Sequence, residues 1–554
     1  LLLIAVSVIA LFSSSYLASS ITNWITSLSL SPKPLPKLDF SKGIPDEART
    51  LVIVPTIITG ANQTEKIIED LEVRYLANKD ANLLFGILSD FKDSKEQINK
   101  EDPHLEQFAA KQIKALNEKY CIAGREQFFL FHRPRQWNEG ENLWMGYERK
   151  RGKLGELNSV LRGKGNDRFS TIVGPEEIYT SVKYVITLDT DTQLPRDSTW
   201  KLVGLMEHPL NQPQYDETRK RVTDGYGIIQ PRIAISLHGA TRSLFSKLYE
   251  NDIGIDPYTR VVSDIYSDIF QEGSFIGKGI YQIDAFEKSL HQRFPENRIL
   301  SHDLLEGSYT RCGFASDVQL YEEFPFNYLT DINRRHRWIR GDWQIGNWHL
   351  PMVPGFDKKL KKNSINALSR WKIFDNLRRS AVPVTLTIML LARWTLLTNP
   401  LIWTISVVLI VILPTLLSYL WNTLKRPDEI ERAQHFRNVV KDTSKSTFQS
   451  LFSLLCLPYE AMVSMDAIIR SLWRMYISRK NLLQWNPSGA DDQNNLTILM
   501  TFSKMWFSPA FALGTTACLL AFAPSSLPIA LPFLGAWFAA PYIVFRLSKP
   551  LPHS

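Results

Sequence analysis

Five long apolar runs leave this 554-residue chain few ways to fold. They cover residues 1–18, 381–398, 401–421, about 505–523 and 526–546, and each contains at most one charged residue. A helix needs roughly 20 predominantly apolar residues to cross the hydrocarbon core of a bilayer. The runs therefore predict a polytopic membrane protein with membrane lipid as a partner.

The charged stretch between these runs predicts a separate soluble domain. We expect three regions: a transmembrane segment in 1–30, the soluble domain in 41–375, and a transmembrane and interfacial helical domain in 376–554. Residues 449–480 allow two interpretations, because three charges stand among their apolar residues: Glu460, Asp466 and Arg470. Since charges are costly in a lipid-exposed span, we expect an amphipathic helix at the membrane surface there.

Basic residues cluster beside the membrane runs. Six precede the run at 381–398: Lys358, Lys359, Lys361, Lys362, Arg378 and Arg379. Four follow the run at 401–421: Lys425, Arg426, Arg432 and Arg437. Because Lys and Arg are enriched on the cytoplasmic side of membrane helices, we expect the soluble domain to be cytoplasmic.

Net charge and cysteine usage exclude several classes of function. The charge of +8 comes without a basic tail or a nucleic-acid-binding motif, so nucleic acid is not an expected partner. The four cysteines show neither metal-ligand nor disulfide spacing, and we expect them to be packing residues.

Short apolar runs alternate with helical patterns in the soluble domain. Four of these runs are typical of strands: 51–60, 82–90, 126–133 and 183–195. Strands that alternate with helices predict an α/β fold with a parallel, doubly wound sheet, for which nucleotides are common ligands. The sequence contains neither GxGxxG nor GxxxxGK[ST], so a dinucleotide fingerprint and a P-loop are excluded.

Asp189 and Asp191 directly follow the fourth of these strands, and Asp90 ends the second. In open α/β sheets, ligands bind beyond the carboxyl ends of the strands. Two neighbouring carboxylates repel each other unless a cation or hydrogen-bond donors compensate them. The pattern leaves open a nucleotide diphosphate held through a hard divalent cation.

Four further segments carry candidate ligand-binding side chains, and each has an ordinary structural alternative. Residues 147–161 place four cations before a helix, which suits a pyrophosphate or an exposed basic loop. Residues 268–281 contain three glycines, which permit close approach of a ligand or form ordinary turns. Asp303 precedes a helical turn and has an N-cap as its alternative. Residues 334–350 combine four arginines with three tryptophans, which suits sugar and phosphate binding or anchoring at a membrane interface.

One ordered set of residues carries a resemblance: Asp90, Lys153, Asp189-Thr190-Asp191, Asp303 and Arg334-x-x-Arg337-Trp338. Followed by membrane helices, it resembles the D, DxD, D and QxxRW pattern of processive inverting glycosyltransferases of the cellulose-synthase type, with Arg334 in place of Gln. Longer motifs resemble the glycosyltransferase region of cyclic β-1,2-glucan synthases: "NEGENLWMGYERKRGKLGELN", "NDIGIDPYTR", "QEGSFIGKGIYQIDAFE", "LSHDLLEG" and "RRHRWIRGDWQ". The resemblance covers nearly the whole chain. It implies a GT-A type, Rossmann-like mixed sheet plus an α-helical transmembrane domain.

The resemblance implies roles for individual residues. Asp303 would be the general base that takes a proton from the acceptor hydroxyl. The nucleotide sugar would be bound by residues with distinct tasks: Asp90 at the uracil or ribose, Lys153 at the pyrophosphate, Asp189 at the sugar, and Arg334 and Arg337 at the leaving group. The metal ion, Mg²⁺ or Mn²⁺, would be held by Asp191 with Asp189. The acceptor glucan would contact Trp338, Gly277 and Gly279.

The function implied is polymerisation of glucose from UDP-glucose into a growing β-1,2-glucan chain, at the inner membrane of a bacterium. Members of this family are longer polypeptides, so the partners include cyclising and chain-length-control domains of the same polypeptide. Two alternatives stay open: a linear β-glucan synthase, and a non-catalytic membrane scaffold that binds nucleotide sugar. The complete set of carboxylates disfavours the scaffold, because a pure binder needs no base. We expect residues 376–554 mainly to anchor the catalytic domain.

The resemblance also implies a protein-linked glucan, whose first sugar is placed on the enzyme itself. A tyrosine hydroxyl is a plausible nucleophile once a carboxylate accepts its proton. The segment 251–273 is punctuated by Gly254 and Pro257 and precedes the glycine-rich stretch. We therefore expect Tyr258 to be the primer, with Tyr266 as the second candidate because a packed helix is predicted to begin near it.

Overall fold

The computed structural model describes residues 2–30, 33–120, 124–236, 239, 241–249, 265–395, 399–424, 431–485 and 496–551. Its strands are β1 (Thr50–Ile58), β2 (Leu83–Phe91), β3 (Phe128–Arg133), β4 (Gln136–Asn138), β5 (Leu143–Met145), β6 (Thr171–Val173), β7 (Tyr184–Thr187), β8 (Gln214–Asp216), β9 (Arg221–Asp224), β10 (Ile228–Ile235), β11 (Gly279–Gln282), β12 (Cys312–Glu322), β13 (Met352–Pro354) and β14 (Leu360–Lys362).

The α-helices of the described residues are α1 (Leu2–Ser29), α2 (Ala61–Ala77), α3 (Asp102–Tyr120), α4 (Arg149–Val160), α5 (Glu176–Tyr179), α6 (Ser198–Glu207), α7 (Leu244–Leu248), α8 (Ile265–Phe270), α9 (Ile283–Leu290), α10 (Asp303–Thr310), α11 (Tyr328–Gln344), α12 (Ala367–Thr395), α13 (Pro400–Leu424), α14 (Arg432–Trp473), α15 (Ile498–Lys504), α16 (Phe507–Phe522) and α17 (Leu527–Leu547).

Eight strands form one mixed sheet in the order β12-β10-β11-β7-β1-β2-β3-β6. The strands β7, β1, β2 and β3 are parallel to one another, and β10 is parallel to β12. The strands β11 and β6 run antiparallel to their neighbours. The mixed-sheet α/β class is confirmed, whereas the wholly parallel sheet expected from alternation alone is wrong. The two antiparallel strands are too short to show a period in the sequence.

The apolar side chains of the central strand β1 alternate between the two faces of the sheet. Val52 and Val54 pack in a core with α2, α3 and α6, and Leu51 and Ile53 pack in a second core with α4, α5 and α9. A strand that is covered on both faces needs apolar residues at every position. This is why β1 is a continuous apolar run in the sequence.

Several helices outside the sheet domain are long and apolar. Within the described residues, three are long and apolar enough to cross a membrane: Pro400–Leu424, Arg432–Ser478 and Pro524–Leu547. Helices α15 and α16 meet the same criterion only together, with a bend of 60° between them. This confirms the predicted helical part with helices that could span a membrane. The predicted segments 1–18 and 381–398 fall largely within α1 and α12.

The stretch 449–480, expected to be an interfacial helix, belongs to the 42-residue helix α14 and the π-helical turn that follows it. The charges that disfavoured a span are paired: Glu460 lies 3.1 Å from Arg335, and Asp466 lies 2.8 Å from His336. Both partners stand on α11. The interfacial position stays a prediction, but its argument from unpaired charge no longer holds.

A short segment after α14, residues 481–484, returns to the sheet domain. The Leu483 backbone N–H donates to Glu141 Oε1 at 2.7 Å, and the Leu483 carbonyl accepts from Arg149 Nε at 3.2 Å. The Leu482 carbonyl accepts from Gln344 Nε2 at 2.9 Å. We call residues 481–484 the return segment; it joins α14 to the start of α4 and to α11.

Candidate active site

The carboxyl ends of β1, β2 and β7 lie at one edge of the sheet, because these strands are parallel. Asp90 is the penultimate residue of β2. Asp189 and Asp191 lie in the loop that follows β7. The structure thus brings these three predicted carboxylates to the same edge.

Asp90 lies in a buried ionic network. Its carboxylate accepts hydrogen bonds from Arg133 Nε at 2.8 Å and Nη2 at 2.9 Å, and lies 3.1 Å from Lys153 Nζ. Arg133 Nη1 also lies 2.6 Å from Glu156 Oε2. Burial opposes ionisation of Asp90, but the charges of Arg133 and Lys153 outweigh it and lower its pKa.

The same network buries the predicted pyrophosphate ligand Lys153. Burial lowers the pKa of Lys153 to about 8, although Asp90 opposes the shift. Lys153 Nζ also donates to the backbone carbonyl of Thr56. Asp90 and Lys153 are 3% and 4% exposed, so neither presents an open face to a ligand in this structure.

Two lysines form ion pairs with the carboxylate of Asp189. Lys150 Nζ is 2.7 Å from Oδ1, and Lys278 Nζ is 3.1 Å from Oδ2. Lys150 also donates to the Gly277 carbonyl at 2.8 Å, and Lys278 also pairs with Glu322. Burial opposes the charge of Asp189, but the two ammonium groups hold its pKa well below the usual range.

Asp191 makes no ion pair within the described part of the chain, and its side chain reaches solvent. Desolvation by the surrounding protein and the charge of Glu322 nevertheless raise its pKa to about 6. Arg74 holds the backbone of this loop, because its Nη2 donates to the carbonyls of Thr190 at 2.8 Å and Thr192 at 2.9 Å.

The donor set at this edge fits a hard divalent cation. Asp189, Asp191 and Glu322 offer carboxylate oxygens, which Mg²⁺ and Mn²⁺ prefer. The raised pKa of Asp191 shows a carboxylate that a nearby positive charge would stabilise. These three residues have the chemistry to hold the cation, whereas the group of three whose donor atoms already lie within 4.8 Å of one another in the described residues is His302, Asp303 and Glu306.

Asp303 is the first residue of α10 and lies against Gly277. A Cβ atom added at Gly277 would stand 2.9 Å from Asp303 Oδ1. That oxygen is buried and has no hydrogen-bond partner among the described residues. His302 is the N-cap of α10, so the N-cap alternative for Asp303 is not observed. Burial raises the pKa of Asp303, although the charges of His302 and Lys150 oppose the shift.

His302 and Glu306 form a buried pair behind Asp303. His302 Nδ1 lies 2.8 Å from Glu306 Oε1 and 3.6 Å from Asp303 Oδ1. Burial opposes the charge of His302, but Glu306 and Asp303 outweigh it and raise its pKa. The donor atoms of these three residues lie within 4.8 Å of one another, as metal ligands would. The raised pKa of His302 favours its charged form, which would pair with Glu306.

Helix α11 carries the predicted arginines and tryptophan and packs on the segment before Asp303. A Cβ atom added at Gly341 would collide with Ser301, and Gln344 Oε1 accepts from the Leu300 backbone N–H at 2.8 Å. The helix axis can approach this segment only because position 341 has no side chain.

The side chains of α11 form a partly exposed aromatic and cationic surface. Arg334 stacks on Trp338 with 4.9 Å between the guanidinium carbon and the ring centre, and Trp338 is 39% exposed. Arg337 lies 5.9 Å from the ring of Trp485. An exposed indole beside guanidinium groups suits stacking on a sugar and contact with an anion.

One known protein matches the chain closely in sequence. The chain is 40% identical over 537 residues to the cyclic β-(1,2)-glucan synthase NdvB of Rhizobium meliloti (strain 1021), and the match covers 96% of the chain. The predicted resemblance is confirmed. The chain spans only 18% of the length of NdvB. No protein-family model matches the chain.

Among solved structures, the mannosyltransferase PcManGT from Pyrobaculum calidifontis, in complex with GDP-Man and Mn²⁺, is similar to the chain. The superposition has a TM-score of 0.37 at 11% identity and covers 84% of this chain and 99% of that chain. A likeness of this size supports no inference about the site.

Sequence reasoning missed four residues that organise the site of this synthase homologue: Arg74, Arg133, Lys278 and Glu322. Each contacts a predicted residue or its loop across a long separation in the chain, Glu322 by accepting a hydrogen bond from Thr192 Oγ1 at 3.3 Å. The only local signal was the position of Lys278 between Gly277 and Gly279 in the glycine-rich stretch.

Packing contacts explain two of the remaining predicted residues, Gly279 and Tyr266. Gly279 pairs with Thr187 in the sheet, and a Cβ atom there would collide with the Ile229 carbonyl, so β-sheet packing explains this glycine. Tyr266 lies in α8, where its hydroxyl accepts from Trp371 Nε1 at 3.2 Å. Tyr258 lies outside the described residues.

Proposed function

We propose that the chain is the polymerising core of a cyclic β-1,2-glucan synthase. It would be a processive, inverting glycosyltransferase that transfers glucose from UDP-glucose to a growing glucan. The homology to NdvB supports a glycosyltransferase. The observation that carries the proposal is the buried Oδ1 of Asp303, which has no hydrogen-bond partner among the described residues. Asp303 lies against Gly277, whose carbonyl accepts from Lys150, the lysine that pairs with Asp189.

The donor would bind at the carboxyl edge of β1, β2 and β7. Lys150 and Lys278 would bind the diphosphate, because their ammonium groups lie at this edge of the sheet, where both form ion pairs with Asp189. Asp90 and Lys153 would support the nucleotide site without contacting the ligand, because their ion pair connects the end of β2 to α4. When bound to Asp191 with Asp189 and Glu322, Mg²⁺ or Mn²⁺ would supply positive charge for the departing diphosphate.

Asp303 would accept the proton of the acceptor hydroxyl as that oxygen attacks the anomeric carbon with inversion. Its unpartnered Oδ1 is free to accept a hydrogen bond from an alcohol. Its raised pKa makes it a stronger base than an ordinary aspartate. Gly277, which leaves room beside this oxygen, would border the acceptor.

The partly exposed surface of α11 would contact the acceptor and the leaving group. Trp338 would stack on the terminal glucose. Arg334 and Arg337 would stabilise charge on the leaving diphosphate, as guanidinium groups do for phosphate oxygens.

The decisive experiment supplies the purified protein with UDP-glucose and Mg²⁺ and determines the linkage of the product. A β-1,2-linked glucan is expected. A β-1,4 or β-1,3 product would favour the linear synthase, and binding of UDP-glucose without turnover would favour the scaffold.

Replacing Gly277 with Ala should lower the rate of transfer without unfolding the protein. The new Cβ atom would stand 2.9 Å from Asp303 Oδ1 and displace the base. Since a displacement of about 1 Å can cost roughly 100-fold in rate, we expect a loss of that order, measured as glucose incorporated per enzyme.

Gly163→Ala is the matched control for this variant. Gly163 has a φ of +69°, against +87° at Gly277, but a Cβ atom there meets nothing within 4 Å. The two variants therefore share the cost of a left-handed backbone, and only one touches the base. Equal losses of activity would show that backbone strain alone is responsible.

Replacing His302 with Gln should move the acidic limb of the pH–rate profile to higher pH. Asp303 must be ionised to act as the base, and it faces His302 and Glu306 on its own segment, Lys150 from α4 and Asp189 from the β7 loop. Loss of the imidazolium charge raises the pKa of Asp303, so we expect a shift of roughly 1 pH unit.

The double variant His302→Gln with Glu306→Gln tests the cause of that shift. It also removes the negative charge of Glu306, which raises the pKa of Asp303. The limb should therefore return towards its wild-type position. An unshifted limb in the single variant would exclude His302 from tuning the base.

The membrane helices would place this domain at the cytoplasmic face of a bacterial inner membrane. Membrane lipid would contact α13 and α17, which are apolar and carry many exposed large side chains. The cyclising and chain-length-control domains would lie elsewhere in the same, longer polypeptide, as the 18% coverage of NdvB suggests.

The primer would be Tyr258 or Tyr266. In the structure, the hydroxyl of Tyr266 meets the indole N–H of the exposed Trp371, near the surface of the described part of the chain. Replacing each tyrosine with Phe deletes only the hydroxyl. Covalently attached glucan should disappear in one variant, and peptide mapping of the modified residue identifies the site.

A further inference from the structure

Lys278 lies between two carboxylates that belong to different parts of the sheet. Its Nζ pairs with Asp189 Oδ2 at 3.1 Å and with Glu322 Oε1, and its side chain is 12% exposed. Glu322 is the last residue of β12, and Lys278 directly precedes β11. Because both residues are fixed by strands, this contact is part of the scaffold of the site.

The position of Lys278 matters for any cation that binds here. Its ammonium group touches two of the three carboxylates assigned to the cation, Asp189 and Glu322, and the charge of Asp191 also raises its pKa. An ammonium group that forms ion pairs with two carboxylates keeps the positive charge that lysine ordinarily carries at neutral pH. A divalent cation that arrives alone would meet this charge at close range and would compete for the same oxygens.

A diphosphate changes this balance. Its negative oxygens would meet Lys150 and Lys278 and would also ligate the cation. The repulsion between lysine and cation would then be offset by a third, negative partner. Each ligand would therefore bind more tightly when the other is present, which is a positive coupling free energy between the two.

We propose that Lys278 is a positioning residue that makes binding of the divalent cation depend on the nucleoside diphosphate. It holds Asp189 and Glu322 in place when the site is free, and its charge weakens binding of a lone cation. This inference rests on the proposed function, because it takes the diphosphate of a nucleotide sugar as the second ligand.

The test measures Mn²⁺ binding to the full chain in detergent by electron paramagnetic resonance, with and without UDP. For the wild type, we expect UDP to strengthen Mn²⁺ binding by about tenfold or more, within the usual range of coupling between sites. For Lys278→Met, which keeps the aliphatic stem, Mn²⁺ alone should bind about tenfold more tightly. UDP should then strengthen Mn²⁺ binding by a smaller factor than in the wild type, because the diphosphate still ligates the cation but no longer offsets the charge of Lys278.

Lys278→Gln is the second variant, because its amide can still donate to Asp189 and Glu322 and so preserves the folded loop. It should behave like Lys278→Met. The control is Lys288→Met, which removes an exposed lysine of α9 that pairs with Glu217. This variant should bind Mn²⁺ like the wild type.

The outcomes separate this inference from the function itself. If UDP fails to bind the wild type at all, the proposed function fails. If UDP and Mn²⁺ bind, but the coupling is the same in Lys278→Met and Lys278→Gln as in the wild type, the role of Lys278 is overturned while the function stands. Unfolding scans with Mn²⁺ alone give an independent readout, because both variants should be stabilised more than the wild type.

Discussion

Asp303→Asn should bind UDP-glucose but transfer no measurable glucose. Asparagine has nearly the same shape as aspartate, but its amide cannot accept the proton of the acceptor hydroxyl. Since positioned general bases contribute about 10²–10⁴-fold, we expect the rate of glucan formation to fall by roughly 10³-fold or more. UDP affinity, measured by titration calorimetry, should stay close to that of the wild type because, in the proposed function, Asp303 contacts the acceptor and not the nucleotide.

Asp284→Asn is the control, because this exposed carboxylate on α9 pairs with Arg162 at the surface. It should retain full activity. Retained turnover in Asp303→Asn would remove Asp303 from the chemistry. Loss of UDP binding in that variant would instead place Asp303 in the donor site.

Arg133→Met should be the most destabilising substitution in the sheet domain. Arg133 is 1% exposed and binds both Asp90 and Glu156, so its loss leaves two buried carboxylates without their main partner. Removing one partner of a buried ion pair costs about 3–5 kcal/mol of unfolding free energy. Thermal and denaturant unfolding of the purified variant in detergent would measure the loss.

Arg219→Met is the matched arginine control. Its guanidinium lies 3.6 Å from Asp216 at the surface, where ion pairs contribute about 0–1 kcal/mol. The variant should unfold like the wild type. If Arg133→Met did so as well, Lys153 alone would be sufficient to compensate Asp90, and the network would not be essential.

The central part of the sheet could be predicted because its strands are buried on both faces. The strands β1, β2, β3 and β7 appear as continuous apolar runs, and the carboxylates at their ends follow from the direction of the chain. The strand β11 could not be predicted, since four residues show no period. Its antiparallel direction depends on the neighbours β7 and β10.

The environment of each carboxylate could not be predicted from the sequence. Whether Asp90 is open or buried depends on Arg133, which is 43 residues away and opposite Asp90 in the register of β2 and β3. Only Thr190 separates Asp189 from Asp191, yet two lysines lower the pKa of the first, whereas desolvation and the charge of Glu322 raise that of the second. Such differences are set by tertiary contacts that no local pattern records.

The pairing of charged residues in the helical part could not be predicted from the sequence either. Glu460 and Asp466 looked unpaired in the sequence and disfavoured a membrane span. Their partners Arg335 and His336 lie more than a hundred residues earlier, on α11. An argument from isolated charge therefore fails when another helix supplies the counter-ion.

The return segment connects the helical part of the chain to the sheet domain through backbone hydrogen bonds. Neither part can therefore be exchanged without affecting the other. Glu141 is 8% exposed, and Leu483 is fully buried against the sheet domain. A fragment cut at residue 375 would lose the backbone N–H that satisfies the Glu141 carboxylate and the carbonyl that Arg149 binds. A fusion of the sheet domain to the membrane helices of another protein would therefore have to include residues 481–484.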